Sequence, residues 1–513
     1  MKTLKLHTLA LFTLLCTARV HAAGIEDAVG GAMVLGRGGA GAARVNDFMA
    51  LVLNPANLAR APGGGDLGFE LRFPVLHACF DRDIDPNVEY KQPGAYEGFE
   101  GTESFGRVCN EAIPGPTANL GWSQGFGKWG YGIGVFTPAA VGGASYGRDT
   151  NVSWYPAEDE PFQVTTEGVE SPNRQMGLKR DGVVAFLMLG AGWAPIPQLR
   201  LGASVGWGVA SVYNKSVVSV LGGTFRDQEI MNELRANDYF IPRAVVSAAF
   251  TPTRYLEWFG TLNYQGDINA KGSAELTANG ISGAPLQSCG VEAPGTHCKI
   301  DGVKLNVPFP TLETTFGVRI AVPRGTKKEV YDPMTDEYLD FEVDGSWAQT
   351  SKVDQFRVNL HNKLVEDEGV PKIQFANTEM ATSSYPRQST SIPKNWRDTW
   401  SVRAGSDVNV IPGKLALRAG WSWTQRATPV ETMNIDYWPV QKIGMHLGAT
   451  VRFGRVKLTA AYARLFYQTV QVRVGTGQVK DIASVEELKA TGVNEGRFTA
   501  RQNIFSLQLN AAF

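Results

Sequence analysis

Residues 505–513 read FSLQLNAAF and alternate strictly between two faces. One face is apolar and ends on Phe513, and the other carries Ser506, Gln508 and Asn510. A period of two is the period of a β-strand, which a soluble sandwich would also produce. A strand that ends on a terminal aromatic is typical of the closing strand of an outer-membrane barrel. We therefore expect an even number of similar strands upstream.

The first 22 residues predict export. Lys2 and Lys5 precede a short apolar run at 9–16, and Val20-His21-Ala22 follows it. This order is that of a secretory signal peptide, so we predict a signal at residues 1–22 with cleavage after Ala22. The apolar run is shorter than the roughly 20 residues that a spanning helix needs.

Composition favours a barrel over a soluble enzyme. The chain has 57 glycines, 10% aromatic residues and a net charge of −1. Its near-neutral charge gives no reason to propose nucleic acid as a partner. Alternating strands with many glycines and aromatics predict an all-β fold, a 14-stranded antiparallel transmembrane barrel occupying residues 65–513.

Fourteen alternating segments can be placed along the chain. We expect the strands at 66–77, 115–126, 129–139, 182–194, 199–214, 241–251, 255–269, 311–322, 341–356, 397–411, 414–426, 441–453, 456–471 and 497–513. Their connections alternate between short and long, which predicts periplasmic turns and long outer loops. The connection at 323–340 should be short and is not, so it is either an insertion or a misplaced strand. The apolar faces on both sides of 183–193 predict a partly apolar lumen.

Four cysteines remain after the signal. An even count in an exported chain favours disulfides, and local pairing gives Cys79 with Cys109 and Cys289 with Cys298, each in an outer loop. A metal site is the alternative, but the spacing fits no zinc pattern and His297 is the only nearby imidazole. We expect no metal.

The composition of residues 23–64 is not that of a barrel strand. They are rich in glycine and alanine, with too few strand formers for a lipid-facing strand. GRGGAG at 36–41 superficially suggests a phosphate loop, but no Lys-Ser/Thr follows it. A compact segment of this size fits inside a barrel mouth, so we predict a hatch, or plug, at 23–64.

Several motifs in order resemble the FadL/TodX family of long-chain fatty acid transporters. The N-terminal part of this resemblance lies in Gly36, Arg37, Asp47, Asn54, Pro55 and Ala56. It continues in GIGVFTP at 132–138, NWRDT at 395–399, RAG at 403–405, LALRAGW at 415–421 and AY at 461–462.

The resemblance implies a plugged barrel that binds hydrophobic molecules in an apolar pocket and releases them when the hatch rearranges. It also implies a lateral opening in the third strand, near Phe136, Pro138, Gly142 and Gly143. Proline and glycine both weaken a ladder, which suits a gap there.

Five arginines fall on polar faces of the strands: Arg200, Arg319, Arg403, Arg418 and Arg452. They form either a ladder that guides a carboxylate or a structural network with Asp407, Glu313 or Asp47, and we favour the network. His446 also faces the lumen, where we expect it to fill space and form hydrogen bonds rather than act as a catalyst. Five aromatic residues could line a pocket: Trp400, Trp421, Trp423, Tyr437 and Trp438. For those on the apolar strand faces we favour an interfacial girdle.

The sequence thus predicts a passive outer-membrane transporter of hydrophobic molecules, with long-chain fatty acids as the favoured cargo. Aromatic hydrocarbons are the alternative cargo, and a structural or adhesive barrel is the alternative class. A barrel hydrolase lacks its His-x-Ser pair, so we expect no catalytic residue and no cofactor. The expected surroundings are outer-membrane lipid and lipopolysaccharide, and the family resemblance suggests a monomer.

Overall fold

The computed structural model describes residues 30–60, 64–83, 107–112, 116–137, 143–146, 172–219, 229–278, 297–325, 331–359, 389–479 and 492–513. Only the backbone is described at 218–219, 229–230, 276–278, 297–298 and 389–390. The predicted signal peptide lies outside these residues. No helix in the described part of the chain is long and apolar enough to cross a membrane.

The described strands form a closed barrel of fourteen antiparallel strands. They are β1 Gly65–Arg82, β2 Thr117–Phe126, β3 Trp129–Phe136, β4 Lys179–Ile196, β5 Leu199–Ser219, β6 Glu229–Thr253, β7 Leu256–Gln265 with Ile268–Ala278, β8 His297–Val307 with Leu312–Pro323, β9 Glu337–Ala348 with Gln355–Asn359, β10 Ser389–Pro393 with Thr399–Ile411, β11 Leu415–Thr424, β12 Lys442–Phe453, β13 Val456–Tyr467 and β14 Gly496–Ala512. Three short segments extend the wall, at Val108–Cys109, Ala144–Ser145 and Val470–Val472.

The closing strand behaves as its alternation predicts. β14 pairs with β13 on one side and with β1 on the other, from Asp66↔Ala512 to Arg82↔Gly496. Leu507 and Leu509 point outward, while Ser506 and Gln508 are buried inside. The fourteen predicted spans all coincide with strands, although several strands extend further than alternation alone indicated.

The two ends of the barrel differ. At one end, here called the turn end, neighbouring strands are joined by turns as short as residues 127–128, and the other end is called the loop end. The 323–340 region contains both a strand start that was misplaced and an insertion, the two possibilities that the sequence left open. β9 begins at Glu337, four residues earlier than predicted, and a short helix α3, Pro333–Asp336, lies in the remaining turn-end connection.

Residues 30–60 fill the lumen and are called the plug. They comprise the helices α1, Gly31–Gly36, and α2, Ala50–Leu53, followed by the 3-10 helix Pro55–Arg60. Nearly all of their side chains are buried, although these helices have no side-chain caps and are too short to be stable alone. The barrel wall therefore holds the plug in its fold.

The Cys79–Cys109 disulfide is present, and its sequence separation is 30 residues. Its position differs from the prediction, because β1 continues to Arg82 and Cys79 is a strand residue rather than a loop residue. Cys109 lies opposite it in the short segment Val108–Cys109. The proposed Cys289–Cys298 pair lies outside the described side chains.

Candidate functional site

Arg37 fixes the first part of the plug. Its side chain is 0% exposed, and its Nη1 donates to Asp340 Oδ1 at 2.7 Å and to Asp407 Oδ1 at 2.8 Å. Its Nη2 donates to Glu342 Oε2 at 3.1 Å. Burial lowers the pKa of Arg37, but these three carboxylates outweigh burial and raise its pKa above the ordinary value. The guanidinium is therefore held charged inside the lumen.

A second set of contacts fixes the end of the plug. Asn54 and Asn57 both donate through Nδ2 to Ala42 O at 2.9 Å, which folds the plug on itself. The backbone N of Ala56 donates to Ser247 Oγ of β6 at 2.9 Å. These bonds explain the asparagines physically, because their amides satisfy a carbonyl that is buried in the lumen.

Asp47 anchors the plug to the closing strand. Its Oδ2 accepts from Gln508 Nε2 at 2.7 Å and from Asn510 Nδ2 at 3.2 Å. Burial raises the pKa of Asp47. Asp47 was one of the alternative acids proposed as partners of the lumen arginines, but side-chain amides of β14 bind its Oδ2 instead.

Cross-strand pairs of glycines receive the plug backbone. Gly130, Gly192 and Gly202 are register partners on β3, β4 and β5, and Gly405 pairs with Gly420 on β10 and β11. A Cβ at Gly202 would lie 2.1 Å from Ala56 N, and one at Gly420 would lie 2.0 Å from Arg37 C. Only glycine allows this approach, so part of the high glycine content belongs to plug docking.

The lumen arginines form the favoured network, but mostly with other carboxylates than predicted. Arg418 pairs with Asp407 at 3.3 Å, as proposed. Arg200 pairs with Glu257, and Arg319 with Glu337 and Asp340. Within the described residues, Glu313 forms none of these salt bridges. Arg403 lies opposite Asp344 in register and has no described salt bridge.

Arg452 joins the turn-end connection to the wall. It binds Asp332 through both carboxylate oxygens, with the longer bond at 3.1 Å. Asp332 also caps α3 by accepting from Met334 N at 3.2 Å. Burial raises the pKa of Asp332, but the hydrogen bond and charge of Arg452 outweigh it and hold the pKa below its usual range. The start of α3 is therefore fixed to β12 at the turn end.

The described part of β3 ends at Phe136, one of the residues of the predicted lateral opening. β3 pairs with β4 up to Phe136↔Phe186, and pairing resumes at Ala144↔Arg180. Pro138 and Gly142 lie outside the described residues, while Gly143 is described and buried. Phe136 is fully buried and stacks on Phe48 of the plug, with ring centroids 5.8 Å apart. The plug thus contacts the last described residue of β3.

The lumen between the plug and the loop end is apolar, as the apolar residues on both faces of 183–193 predict. Val184, Phe186 and Met188 of β4 point inward, while Leu187 and Leu189 are exposed outside. One continuous buried cluster connects Leu51 of the plug to Phe136, Phe186, Val245, Phe309, Phe356, Trp396 and Tyr437. This cluster provides an apolar lining from the plug toward the loop end.

Arg243 lies inside this apolar region and was missed in the sequence. It is 8% exposed, and its Cζ lies 5.2 Å from the centre of the Phe186 ring. Its buried Nε has no hydrogen-bond partner among the described residues. Glu313 is the acidic group whose charge acts on it, yet no carboxylate of the described residues lies within the 4.0 Å of a salt bridge. The alternation around Ile241 would have indicated its inward direction.

His446 is a hydrogen-bonded filler, as predicted. Its Nδ1 is 2.9 Å from Leu35 O of the plug, and its Nε2 is 2.9 Å from Ser422 Oγ. Trp400 and Trp421 are exposed on the outer surface, which fits the predicted girdle, whereas Tyr437 and Trp438 are buried inside. Trp423 is partly buried.

No family model matches this sequence, and no curated protein matches it either. Several solved structures are similar to it. A Pseudomonas aeruginosa FadL homologue is similar over 96% of this chain and 99% of its own, at 16% identity and a TM-score of 0.65. The P. putida toluene transporter TodX covers 95% and 99%, at 15% identity and a TM-score of 0.60. The Ralstonia pickettii toluene transporter TbuX also covers 95% and 99%, at 14% identity and a TM-score of 0.57.

These similarities cover 95–96% of this chain. They agree with the predicted closed barrel of fourteen antiparallel strands. The chain therefore has the fold of the FadL/TodX barrels.

Proposed function

We propose that this protein is a passive outer-membrane channel of a Gram-negative cell that takes up long-chain fatty acids. The turn end faces the periplasm, residues 23–64 act as the hatch, and residues 1–22 are removed on export. The observation that carries the proposal is the apolar lumen with Arg243 in its wall, because together they suit a long apolar chain that ends in a carboxylate.

The energetics favour such a cargo. Burying each methylene in an apolar lining gains about 0.8 kcal/mol, so a long acyl chain binds strongly. Tight binding then needs a change of shape for release, which a rearrangement of the plug supplies as a population shift. The Phe48–Phe136 stack supports this coupling, because movement of the plug would free the end of β3.

Aromatic hydrocarbons are the second candidate cargo, because two of the similar structures are described as toluene transporters. A structural or adhesive barrel is less well supported, since it needs no plug. Uptake of labelled oleate and labelled toluene by a transporter-deficient Gram-negative host expressing this chain separates the candidates. We expect faster oleate uptake than with an empty vector. Uptake of toluene without oleate would show that aromatic hydrocarbons, rather than fatty acids, are the cargo. Uptake of neither compound would contradict the proposed transport function.

Arg243→Gln should weaken binding of oleate and leave binding of oleyl alcohol unchanged. A hydrogen bond to a charged group contributes about 1.5–3 kcal/mol, so oleate affinity should fall about tenfold or more. Competition with a fluorescent acyl probe on the purified barrel measures both ligands.

Arg464→Gln is the matched control for this variant, because Arg464 also lies over a phenylalanine ring, that of Phe466 at 5.5 Å, but away from the apolar cluster that contains Phe186. It should bind both ligands as the wild type does. Equal oleate affinity in Arg243→Gln and the wild type would show that Arg243 does not bind the carboxylate.

A further inference from the structure

A cavity of about 360 Å³ lies at the turn end, beside the last residue of the plug. Its walls come from Arg60 of the plug, from the β4–β5 and β6–β7 turns, and from Tyr331 of the turn-end insertion. Small-molecule sites in proteins start at about 300 Å³, so the space is large enough for a ligand. It is separate from the apolar cluster that contains Phe186.

The wall of this cavity carries more positive than negative charge. Among the described residues, the guanidinium groups of Arg60, Arg200, Arg254 and Arg319 line it, against the single carboxylate of Glu257. Arg60 and Arg200 both donate to Glu257, which is 2% exposed. Like charges held this close favour an additional anion.

These arginines differ in how far other acids neutralise them. Arg319 uses its donors on Glu337 and Asp340. Arg254, in contrast, donates to Gly325 O at 2.8 Å and to the Tyr255 hydroxyl at 2.9 Å, with no salt bridge to a described residue. Arg60 and Arg200 have only Glu257 as an acidic partner among the described residues. A guanidinium group has five N–H donors, so Arg254, Arg60 and Arg200 can each bind a second carboxylate.

The rest of the lining is largely apolar. Pro197, Tyr255, Leu256 and Ala321 contribute to the wall, so a carboxylate with a hydrocarbon chain fits better than a small inorganic anion. Arg60 ends the 3-10 helix of the plug and also donates to Ala43 O at 2.5 Å. A ligand on Arg60 would therefore contact the plug directly.

We propose that this cavity is a second binding site, specific for the carboxylate end of an acyl chain. For its physiological ligand it rests on the fatty acid cargo proposed above. Arg254 and Arg200 hold the carboxylate, Glu257 competes with it for the same arginines, and the acyl chain lies on Leu256 and Tyr255. The incoming carboxylate also draws Arg60 away from Glu257, which loosens the end of the plug.

The test uses the full protein in lipid nanodiscs and a photoreactive diazirine analogue of octanoic acid. Labelled peptides around 197–200 and 251–257 are quantified by mass spectrometry while octanoate competes. Arg254→Glu should weaken octanoate competition at these peptides by about fivefold or more, because it reverses a charge near the ligand. Glu257→Gln should strengthen it, because it removes the competing carboxylate. Effects of opposite sign distinguish binding from a loss of structure.

Arg455→Glu is the matched control, since Arg455 is an exposed arginine in another turn of the same end. It should leave the labelling unchanged, and the corresponding alcohol probe should respond to none of the variants. Equal labelling by acid and alcohol, or unchanged competition in Arg254→Glu, would overturn the proposal even if Glu257→Gln does not fold. Acid-specific labelling without oleate uptake in cells would instead overturn the fatty acid transport and keep the site.

Discussion

Arg37→Gln should release the first part of the plug from the wall while the barrel stays folded. Asp340 and Asp407 keep their contacts with Arg319 and Arg418 in this variant. Glu342, in contrast, loses the only salt bridge that it forms among the described residues. Breaking a buried ion pair from one side costs about 3–5 kcal/mol, which shifts the ratio of docked to free plug by a factor on the order of 100 to 1,000 or more. Single-channel recording in planar bilayers should show larger and more frequent openings than in the wild type.

Arg37→Lys tests whether charge alone is sufficient. A lysine keeps the charge but lacks the planar fork that reaches three carboxylates, so its conductance should lie between those of the wild type and Arg37→Gln. Heat-dependent migration in gels confirms that each barrel is folded. Wild-type conductance in folded Arg37→Gln would mean that Arg37 does not hold the plug.

The wall was predictable because alternation carries its information locally. Outer-surface positions repeat every second residue, so each strand can be recognised from its own sequence. The same alternation is visible in LDFEVDG at 339–345, where Asp340, Glu342 and Asp344 face the lumen. Their inward direction was therefore accessible from the sequence. The pairing of Asp340 with Arg37, 303 residues away, was not, because it depends on where the plug folds.

The cross-strand glycine pairs could not be predicted from the sequence for a related reason. Gly130, Gly192 and Gly202 are separated along the chain and become neighbours only through the register of three strands. A shift of one residue in that register would turn them to the other face. Arg243 shows a further limit, since its direction follows from alternation but its lack of a salt bridge to any described residue depends on every neighbouring side chain.

Gly202→Val should displace the end of the plug rather than its beginning. The new side chain would meet the backbone at Pro55 C and Ala56 N, which cannot move aside as a flexible side chain can. Overpacking costs typically about 1–3 kcal/mol, and here it can be relieved only by undocking of the 3-10 helix. Hydrogen–deuterium exchange should therefore rise about tenfold in peptides covering 50–60, with a smaller change at 31–44.

Gly345→Val is the matched control, because Gly345 is also a strand glycine, but no atom in the described part of the chain lies within 4 Å of the position that its Cβ would take. Valine favours strands, so this variant should keep or slightly raise barrel stability and leave plug exchange unchanged. Arg37→Gln should give the opposite pattern to Gly202→Val, with faster exchange at 31–44. If both variants instead loosen the whole plug equally, the plug moves as one unit. If they loosen different ends, the two ends of the plug dock on the wall independently. The end at Arg60 can then leave the wall while the part at Arg37 stays docked.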